Sequence, residues 1–443
     1  MANMEALDMN TPTAAEDVTT AHLLDHFHRV RSKTASLAAG LSAEDQMVQS
    51  CAEASPAKWH LAHTTWFFET FILSKYLPDY RPFHPDFAWL FNSYYKSLGG
   101  HPDKRLRASF SRPPLGEVLA YREHVEEQMA RLLTSHASGE VCEFVELGLH
   151  HEQQHQELIL TDIKHAFWSN PLQPAYSDAD LSFRQLQSVL RTDVWCEYDG
   201  GMVEIGHNGD GFAFDNELCR HKVFLNSFRL ASHPVTCREY LTFMRDRGYE
   251  RPELWLSDGW DTVQAQGWHA PLYWQPDGSD EWKVFTLRGT LPLSDVLDTP
   301  ACHISYYEAD AFARWAGCRL PSEFEWEHAA ASMPVSGNFL ESGALHPEAT
   351  QAACNGAQAR PVQMFGDVWE WTQSAYTAYP KYKAAAGALG EYNGKFMCNQ
   401  LVLRGGSAVT PASHMRASYR NFFPPGTRWQ FSGIRLAAEG ASV

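Results

Sequence analysis

Long apolar runs and an excess of positive charge are both missing from the 443-residue chain. No stretch stays apolar over the roughly 20 residues that a membrane-spanning helix needs. The 36 Lys and Arg residues form no long block, and 53 Asp and Glu residues bring the formal net charge to −17. These absences argue against nucleic acid and anionic membranes as the main partners. The polar, acidic N-terminal stretch does not suit a signal peptide.

The sequence also lacks any Cys-x-x-Cys pair, although it contains nine cysteines. That absence excludes structural zinc of the ribbon or finger type. An odd, dispersed set of cysteines without an export signal is typical of reduced thiols. We therefore expect a cytoplasmic protein without structural disulfides.

Helical periodicity dominates the chain up to about residue 168. Four amphipathic segments are predicted to form helices: 21–38, about 57–75, a segment that follows Pro113 and Pro114, and a segment that runs through residues 141–159. Four long amphipathic helices predict a four-helix bundle. Bundles often build metal sites from side chains on facing helices.

Two histidines on the fourth predicted helix, His151 and His155, have the spacing of a metal-binding pair. Residues four apart point the same way on a helix, so both imidazoles can reach one metal ion. The site needs at least one more ligand, and the second predicted helix offers His60 and His63. The alternative role for each of these side chains is that of a hydrogen-bonded core histidine.

The connection between the second and third predicted helices, residues 77–114, is too long for a simple bundle turn. Connections of this length are often functional. This one contains the adjacent pair Tyr94 and Tyr95. The pair has two alternative roles: packing, or presentation of a phenol to the metal site.

The character of the sequence changes near Trp195, where glycines, tryptophans and turn signals multiply. Short strands are predicted at 200–206 and 223–230, and short helices at 306–316 and 322–331. The fold class predicted is therefore α+β with several domains. The predicted boundaries are a four-helix bundle at 20–170, a connector with one short helix at 171–194, and an irregular α+β domain at 195–443.

Five segments of the second half form a recognisable set: Gly-Asp-Val-Trp-Glu-Trp-Thr at 366–372, and those at 300–311, 316–327, 403–407 and 431–437. This set resembles the formylglycine-generating-enzyme and sulfatase-modifying-factor family, whose fold is a variant of the C-type lectin fold. Formylglycine-generating enzymes use a cysteine pair near the segment that corresponds to residues 413–420, and no cysteine lies there. The resemblance therefore does not extend to copper-dependent cysteine oxidation.

Three further segments are distinctive: Leu-Ala-His at 61–63, His-Glu-Gln-Gln-His at 151–155 and Tyr-Arg-Asn-Phe-Phe-Pro-Pro at 419–425. With them, the first half resembles the DinB-like bundles, and the two halves in this order resemble the sulfoxide synthases of ergothioneine biosynthesis. The resemblance implies that His63, His151 and His155 bind Fe(II). It also implies an O2-dependent reaction that joins a thiol to C2 of the hercynine imidazole and gives a sulfoxide.

The same resemblance implies roles in substrate binding. Gln154 would hydrogen-bond the hercynine imidazole, and Asn421 and Phe422 would hold its carboxylate and trimethylammonium groups. Phe423 stands where relatives that use γ-glutamylcysteine have Asp, so cysteine is the expected thiol and γ-glutamylcysteine the alternative.

Two arginines are candidate carboxylate clamps, because guanidinium groups match carboxylates in bidentate geometry. They are Arg416 and Arg420, and the alternative role for each is a structural salt bridge.

An active-site tyrosine acts as a proton donor in the family that the chain resembles. Tyr94 and Tyr95 are the candidates here, with Tyr95 ahead, and Tyr376 and Tyr379 are the fallback.

Two competing interpretations are a metal-dependent thiol transferase of the DinB type and a lectin-like binding module without chemistry. The sequence leaves the oligomeric state open.

Overall fold

The computed structural model describes residues 14–135, 138–177, 194–278, 281–350, 360–384 and 387–440. Among the described residues, no helix is both long and apolar enough to cross a bilayer. The short helix expected in the connector lies outside the described residues.

The first half is a helical bundle. Its long helices are α1 (Ala14–Ala38), α2 (Ala57–Phe68), α5 (Leu115–Ser135) and α6 (Gly139–Ser169), with short α3 (Ser74–Tyr76) and α4 (Phe87–Leu90) between α2 and α5. A π-helical turn, Glu69–Leu73, joins α2 to α3. The structure thus confirms the four long helices expected from the sequence.

Helix α2 is the centre of the bundle, because all twelve of its residues are buried. Helix α6 begins at the N-cap Ser138, whose hydroxyl accepts a hydrogen bond from the backbone N–H of Val141. Gly148 lets α6 approach α2 closely, since a Cβ atom there would lie 2.7 Å from the Phe68 ring. This close approach lies one turn before His151.

In the residues that the structure describes, the second half combines short helices with four small sheets. Its helices are α7 (Cys237–Arg245), α8 (Ser257–Gln266), α9 (Tyr306–Trp315) and α10 (Glu323–Ala330). The four-stranded sheet has the strand order β10 (Asn421–Phe423), β9 (Leu401–Arg404), β8 (Trp369–Ala375), β11 (Ser432–Gly433). Capping boxes start α7, α9 and α10 at Thr236, Ser305 and Ser322.

The other three sheets have two or three strands each. They have the orders β1–β4–β12, β2–β3 and β5–β6–β7, formed by β1 (Trp195–Tyr198), β2 (Gly201–Ile205), β3 (His221–Leu225), β4 (Phe228–Ala231), β5 (Trp274–Pro276), β6 (Trp282–Thr286), β7 (Gly289–Pro292) and β12 (Ala437–Glu439).

The prediction of a single strand at 223–230 is wrong. The chain turns at Asn226 and Ser227, so that β3 pairs with β2 while β4 pairs with β1 and β12. The buried positions change parity at this corner, from Leu225 to Phe228 and Leu230, and the polar residues Asn226 and Ser227 lie between them. A shift of one residue moves the buried side chains to the other face, so this change of phase marks the end of one strand and the start of the next.

Helix α6 belongs to two hydrophobic cores. Val145 and Leu149, in its first half, pack in the bundle core. Ile159 and Ile163, in its second half, pack against residues of the second domain such as Phe431. The predicted metal-ligand pair, His151 and His155, lies between these two stretches, at the junction of the two halves of the molecule.

A lysine is fully buried at this junction. The Lys164 ammonium lies 2.7 Å from Nε2 of His303 and above the rings of Tyr273 and Phe431. Burial lowers the pKa of Lys164 from 10.5 to about 7.

We expect Lys164→Met to raise the free energy of unfolding, by up to about 5 kcal/mol below pH 7. The unfolded chain keeps Lys164 protonated up to its ordinary pKa, whereas the folded chain releases the proton at about pH 7. The destabilisation caused by burying the charged Lys164 ammonium is therefore complete below pH 7, and it fades as the pH rises towards 10.5. Urea unfolding of the wild type and the variant at pH 6 and pH 10 measures it. The exposed Lys222→Met is the control, and an equal gain at both pH values would contradict the argument.

Candidate metal centre

Three histidines converge where α2 faces α6. They are His63 on α2 and His151 and His155 on α6, and their ligand atoms all lie within 4.8 Å of one another. The Nε2 atoms of His151 and His155 are 3.1 Å apart. This is the only group of three or more His, Cys, Asp or Glu side chains with metal-site spacing in the part of the chain that the structure describes.

Hydrogen bonds on the opposite ring nitrogens orient two of these imidazoles. Nδ1 of His63 lies 2.6 Å from the carbonyl oxygen of Phe91, and Nδ1 of His155 lies 2.7 Å from Nδ1 of His60. Both rings are thereby left with Nε2 facing the centre of the group. His60 stands behind His155, so the geometry brings His63 rather than His60 into the group.

The His63 ring is also fixed by stacking. It lies between the indoles of Trp59, at a centroid distance of 4.4 Å, and Trp66, at 5.3 Å, with interplanar angles of 13° and 14°. The Arg107 guanidinium covers the outer face of Trp59 at 3.4 Å from the ring centroid. A rigid ring of this kind holds its nitrogen in place without a bound ion.

The three imidazoles are neutral at physiological pH. Burial lowers the pKa of His151 to about 3, and it lowers the pKa of His63 and of His155 well below 6.5. The neutral ring is the form that binds metals. Three neutral nitrogens grouped on one side fit a divalent transition metal that keeps other coordination positions open for small molecules.

A cavity of about 190 Å³ lies between α6 and the second half of the chain, and Gln154, which precedes His155 on α6, lines it. The cavity is strongly aromatic: its other lining residues include Tyr94, Phe214, Trp369, Tyr392, Phe396, Tyr419, Phe422 and Phe423. The three histidines are not among the lining residues, and Gln154 and Tyr392 connect the cavity to them. Side chains from both halves of the molecule thus line this space.

The Gln154 amide is held by two tyrosines. Its Nε2 donates to the Tyr419 hydroxyl at 2.7 Å, and its Oε1 accepts from the Tyr392 hydroxyl. The Tyr392 ring centroid lies 5.8 Å from that of His151. Nothing in the local sequence pattern of residues 387–400 marked Tyr392, because only the tertiary fold brings this loop to the site.

The structure brings Asn421, Phe422 and Phe423 together as β10, which forms one wall of the cavity. The Phe422 ring stacks on Tyr376 at a centroid distance of 4.0 Å. Phe423 contacts Trp429 edge to face at 6.0 Å. These contacts give the wall a fixed aromatic surface.

Both candidate arginines pair with carboxylates of the protein itself. Nε of Arg416 lies 3.0 Å from a Glu217 oxygen, and the Arg420 guanidinium contacts both Glu323 oxygens at 2.8 and 3.0 Å. Arg420 borders the cavity, whereas Arg416 does not. The salt-bridge alternative therefore describes both side chains in this structure.

The tyrosine pair is divided between the cavity and the core. Tyr94 lines the cavity, and Tyr95 lies behind it, fully buried against Trp66 at 5.6 Å and Tyr94 at 4.6 Å between ring centroids. The geometry thus favours Tyr94, which reverses the order of preference from the sequence. The fallback residues lie elsewhere: the hydroxyl of Tyr376 accepts from Asn216, and that of Tyr379 donates to Glu323.

Comparison with known proteins shows the family of the chain. Residues 186–440 match the family model described as the sulfatase-modifying factor enzyme 1-like domain. The hercynine oxygenase of Mycolicibacterium smegmatis is 30% identical over 410 residues, which cover 86% of this chain and 91% of the relative. The chain belongs to the hercynine oxygenase family.

Two further relatives support the assignment. The hercynine oxygenase of Mycolicibacterium thermoresistibile is 35% identical over 65% of this chain and 67% of its own length. Ergothioneine biosynthesis protein 1 of Schizosaccharomyces pombe is 26% identical over 51% of this chain and 27% of its own length. This member of the hercynine oxygenase family is therefore an oxygenase of ergothioneine biosynthesis, and its predicted family and α+β fold class are confirmed.

Proposed function

We propose that the protein is a non-haem Fe(II)-dependent sulfoxide synthase that joins cysteine to C2 of the hercynine imidazole. Hercynine, the thiol and O2 would yield hercynylcysteine sulfoxide and one water, with O2 accepting four electrons. The observation that carries the proposal is the group of three neutral histidines, together with an aromatic cavity whose lining residues Gln154 and Tyr392 lie next to that group. Fe(II) bound by His63, His151 and His155 would activate O2 and bind the thiolate.

The cavity supports hercynine as the substrate. A trimethylammonium group has no N–H to hydrogen-bond, and aromatic faces attract it through their quadrupoles. Phe422 and Phe396 supply aromatic rings in one part of the cavity. Gln154 lies beside His155, where its amide would hydrogen-bond the substrate imidazole and direct C2 towards the thiol.

The apolar wall at Phe423 supports cysteine over γ-glutamylcysteine. The γ-glutamyl group would bring a second carboxylate, and the guanidinium nearest to this wall, that of Arg420, is already paired with Glu323. A phenylalanine offers no hydrogen bond to such a group. A smaller thiol substrate thus suits the space beside β10.

Tyr94 is the proposed proton donor. Burial raises the pKa of Tyr94 above its ordinary value of 10, so the phenol keeps its proton at physiological pH. A phenol can transfer that proton in a transition state without being ionised at rest. Tyr95, packed behind it, would hold the Tyr94 ring in place.

The deciding experiment is O2 consumption by protein loaded anaerobically with Fe(II). We expect uptake that depends on hercynine in the presence of cysteine, and a product whose mass is that of the sulfoxide adduct. A preference for γ-glutamylcysteine would overturn the interpretation of Phe423 but keep the reaction class. If protein with stoichiometric iron shows no hercynine-dependent uptake with either thiol, the proposal fails and a metal-dependent thiol transferase becomes the leading alternative.

A further inference from the structure

Two polar side chains form a hydrogen-bonded line behind His155, on its Nδ1 side and opposite the Nε2 atom that faces His151. Nδ1 of His155 lies 2.7 Å from Nδ1 of His60, and Nε2 of His60 lies 3.0 Å from Oδ2 of Asp162. The same Asp162 oxygen accepts the backbone N–H of Ser55 at 2.8 Å. His60, His155 and Asp162 are all buried.

Two helices fix this line of side chains. Asp162 follows His155 by seven residues on α6, two turns along the same face. His60 precedes His63 by three residues on α2. One short segment therefore supplies His63, a member of the histidine group, and His60, which supports His155. The backbone geometry of α2 and α6 therefore determines the line.

Counting donors and acceptors allows one arrangement of protons that leaves Nε2 of His155 able to bind a metal. Ionised Asp162 only accepts, so Nε2 of His60 carries a proton and donates it. A neutral His60 then has a bare Nδ1, which accepts from a proton on Nδ1 of His155. That proton leaves the lone pair of His155 on Nε2, the atom that faces His151.

We infer that His60 and Asp162 are positioning residues that hold His155 in its metal-binding tautomer and make its Nε2 a stronger electron donor. The inference rests on the proposed function, since it takes the histidine group as a metal site. Carboxylate and imidazole partners of this kind fix the ring orientation of a ligand and raise its basicity. Among the three histidines, His63 has a backbone carbonyl in this role, so only His155 is linked to a charged partner through its Nδ1.

The test compares metal affinity in the full-length protein, measured with Co(II) and Fe(II) in competition with a chelator. Asp162→Asn keeps the size of the side chain and an oxygen that accepts from His60, and it removes only the charge. We expect it to bind both ions about 10- to 100-fold more weakly. The Fe(III)/Fe(II) midpoint potential should also rise, because a less electron-rich His155 stabilises Fe(III) less well.

A double-mutant cycle separates positioning from simple loss of packing. His60→Gln should weaken binding by a similar factor, and adding Asp162→Asn to it should have little further effect, since Asp162 acts through His60. His165→Gln is the matched control, because His165 lies one turn after Asp162 and contacts Ser50 instead of the histidine group. The control should bind both ions as the wild type does.

The outcomes distinguish this inference from the proposed function. Wild-type affinity and potential in Asp162→Asn would overturn the positioning role while the metal site stood. Additive losses in the double variant would also overturn it, because independent effects indicate packing. If the wild-type protein binds neither ion, the proposed metal site itself fails, and the inference fails with it.

Discussion

His151→Ala is expected to abolish stoichiometric iron binding and hercynine-dependent O2 consumption together. His151 is one of the two proposed ligands on α6, and its Nε2 lies 3.1 Å from that of His155. Removal of one of three protein ligands leaves two nitrogens, which do not hold Fe(II) against water and buffer. We expect activity to fall at least about 100-fold, the upper range seen for loss of mere supporting partners. Metal analysis after desalting and O2 uptake measure the two effects.

His150→Ala provides the matched control. His150 occupies the adjacent position on the same helix, but its Nδ1 lies 3.0 Å from Nδ1 of His414 and its ring stacks on Phe212. This variant should keep one iron per chain. Equal loss of iron in both variants would indicate that α6 is disrupted rather than that a ligand is missing, and full iron retention in His151→Ala would rule out the histidine group as the metal site.

Tyr94→Phe is expected to change which product forms and to leave unchanged which substrates are consumed. Without the phenol proton, oxidation would stay on the cysteine sulfur, and cysteine sulfinate would replace most of the sulfoxide adduct. Iron binding should remain, because Tyr94 contributes a cavity wall and not a ligand. The ratio of the two products, measured by mass spectrometry under equal O2 consumption, gives the result.

Two neighbouring tyrosines make this experiment selective. Tyr95→Phe removes a hydroxyl behind the cavity and should keep most of the sulfoxide, whereas Tyr392→Phe removes the donor to Gln154 and should weaken hercynine binding. A product shift in Tyr95→Phe alone would restore the order of preference that the sequence suggested. Wild-type product ratios in the variants at 94 and 95 would show that neither phenol is the proton donor.

The sequence predicts the parts of the site that depend on local geometry. The spacing of His151 and His155 predicts a shared face because a helix repeats every 3.6 residues, and the structure places both side chains there. The choice of His63 over His60 came only from the family resemblance, because residues three apart both lie near one face. The tertiary packing decides between them by placing His60 behind His155.

Long-range pairings were beyond sequence patterns. Arg420 meets Glu323 and Arg416 meets Glu217, partners that are 97 and 199 residues apart in the chain. No sequence periodicity relates such positions. The sequence alone therefore does not distinguish a charged residue that binds substrate from one that forms a structural ion pair. Tyr392 shows the same limit, since its loop reaches the site only when both halves have folded. The predicted domain boundaries and residue roles stay predictions.

The packing of α6 in two hydrophobic cores affects the entropy cost of substrate binding. One continuous helix of 31 residues joins the bundle core to the second core, and the ligands sit between the two anchored stretches. Bringing the metal ligands and the aromatic wall together is therefore a result of folding rather than of substrate binding. The free energy of substrate binding therefore need not offset the cost of closing two domains. This is the advantage of a preorganised site.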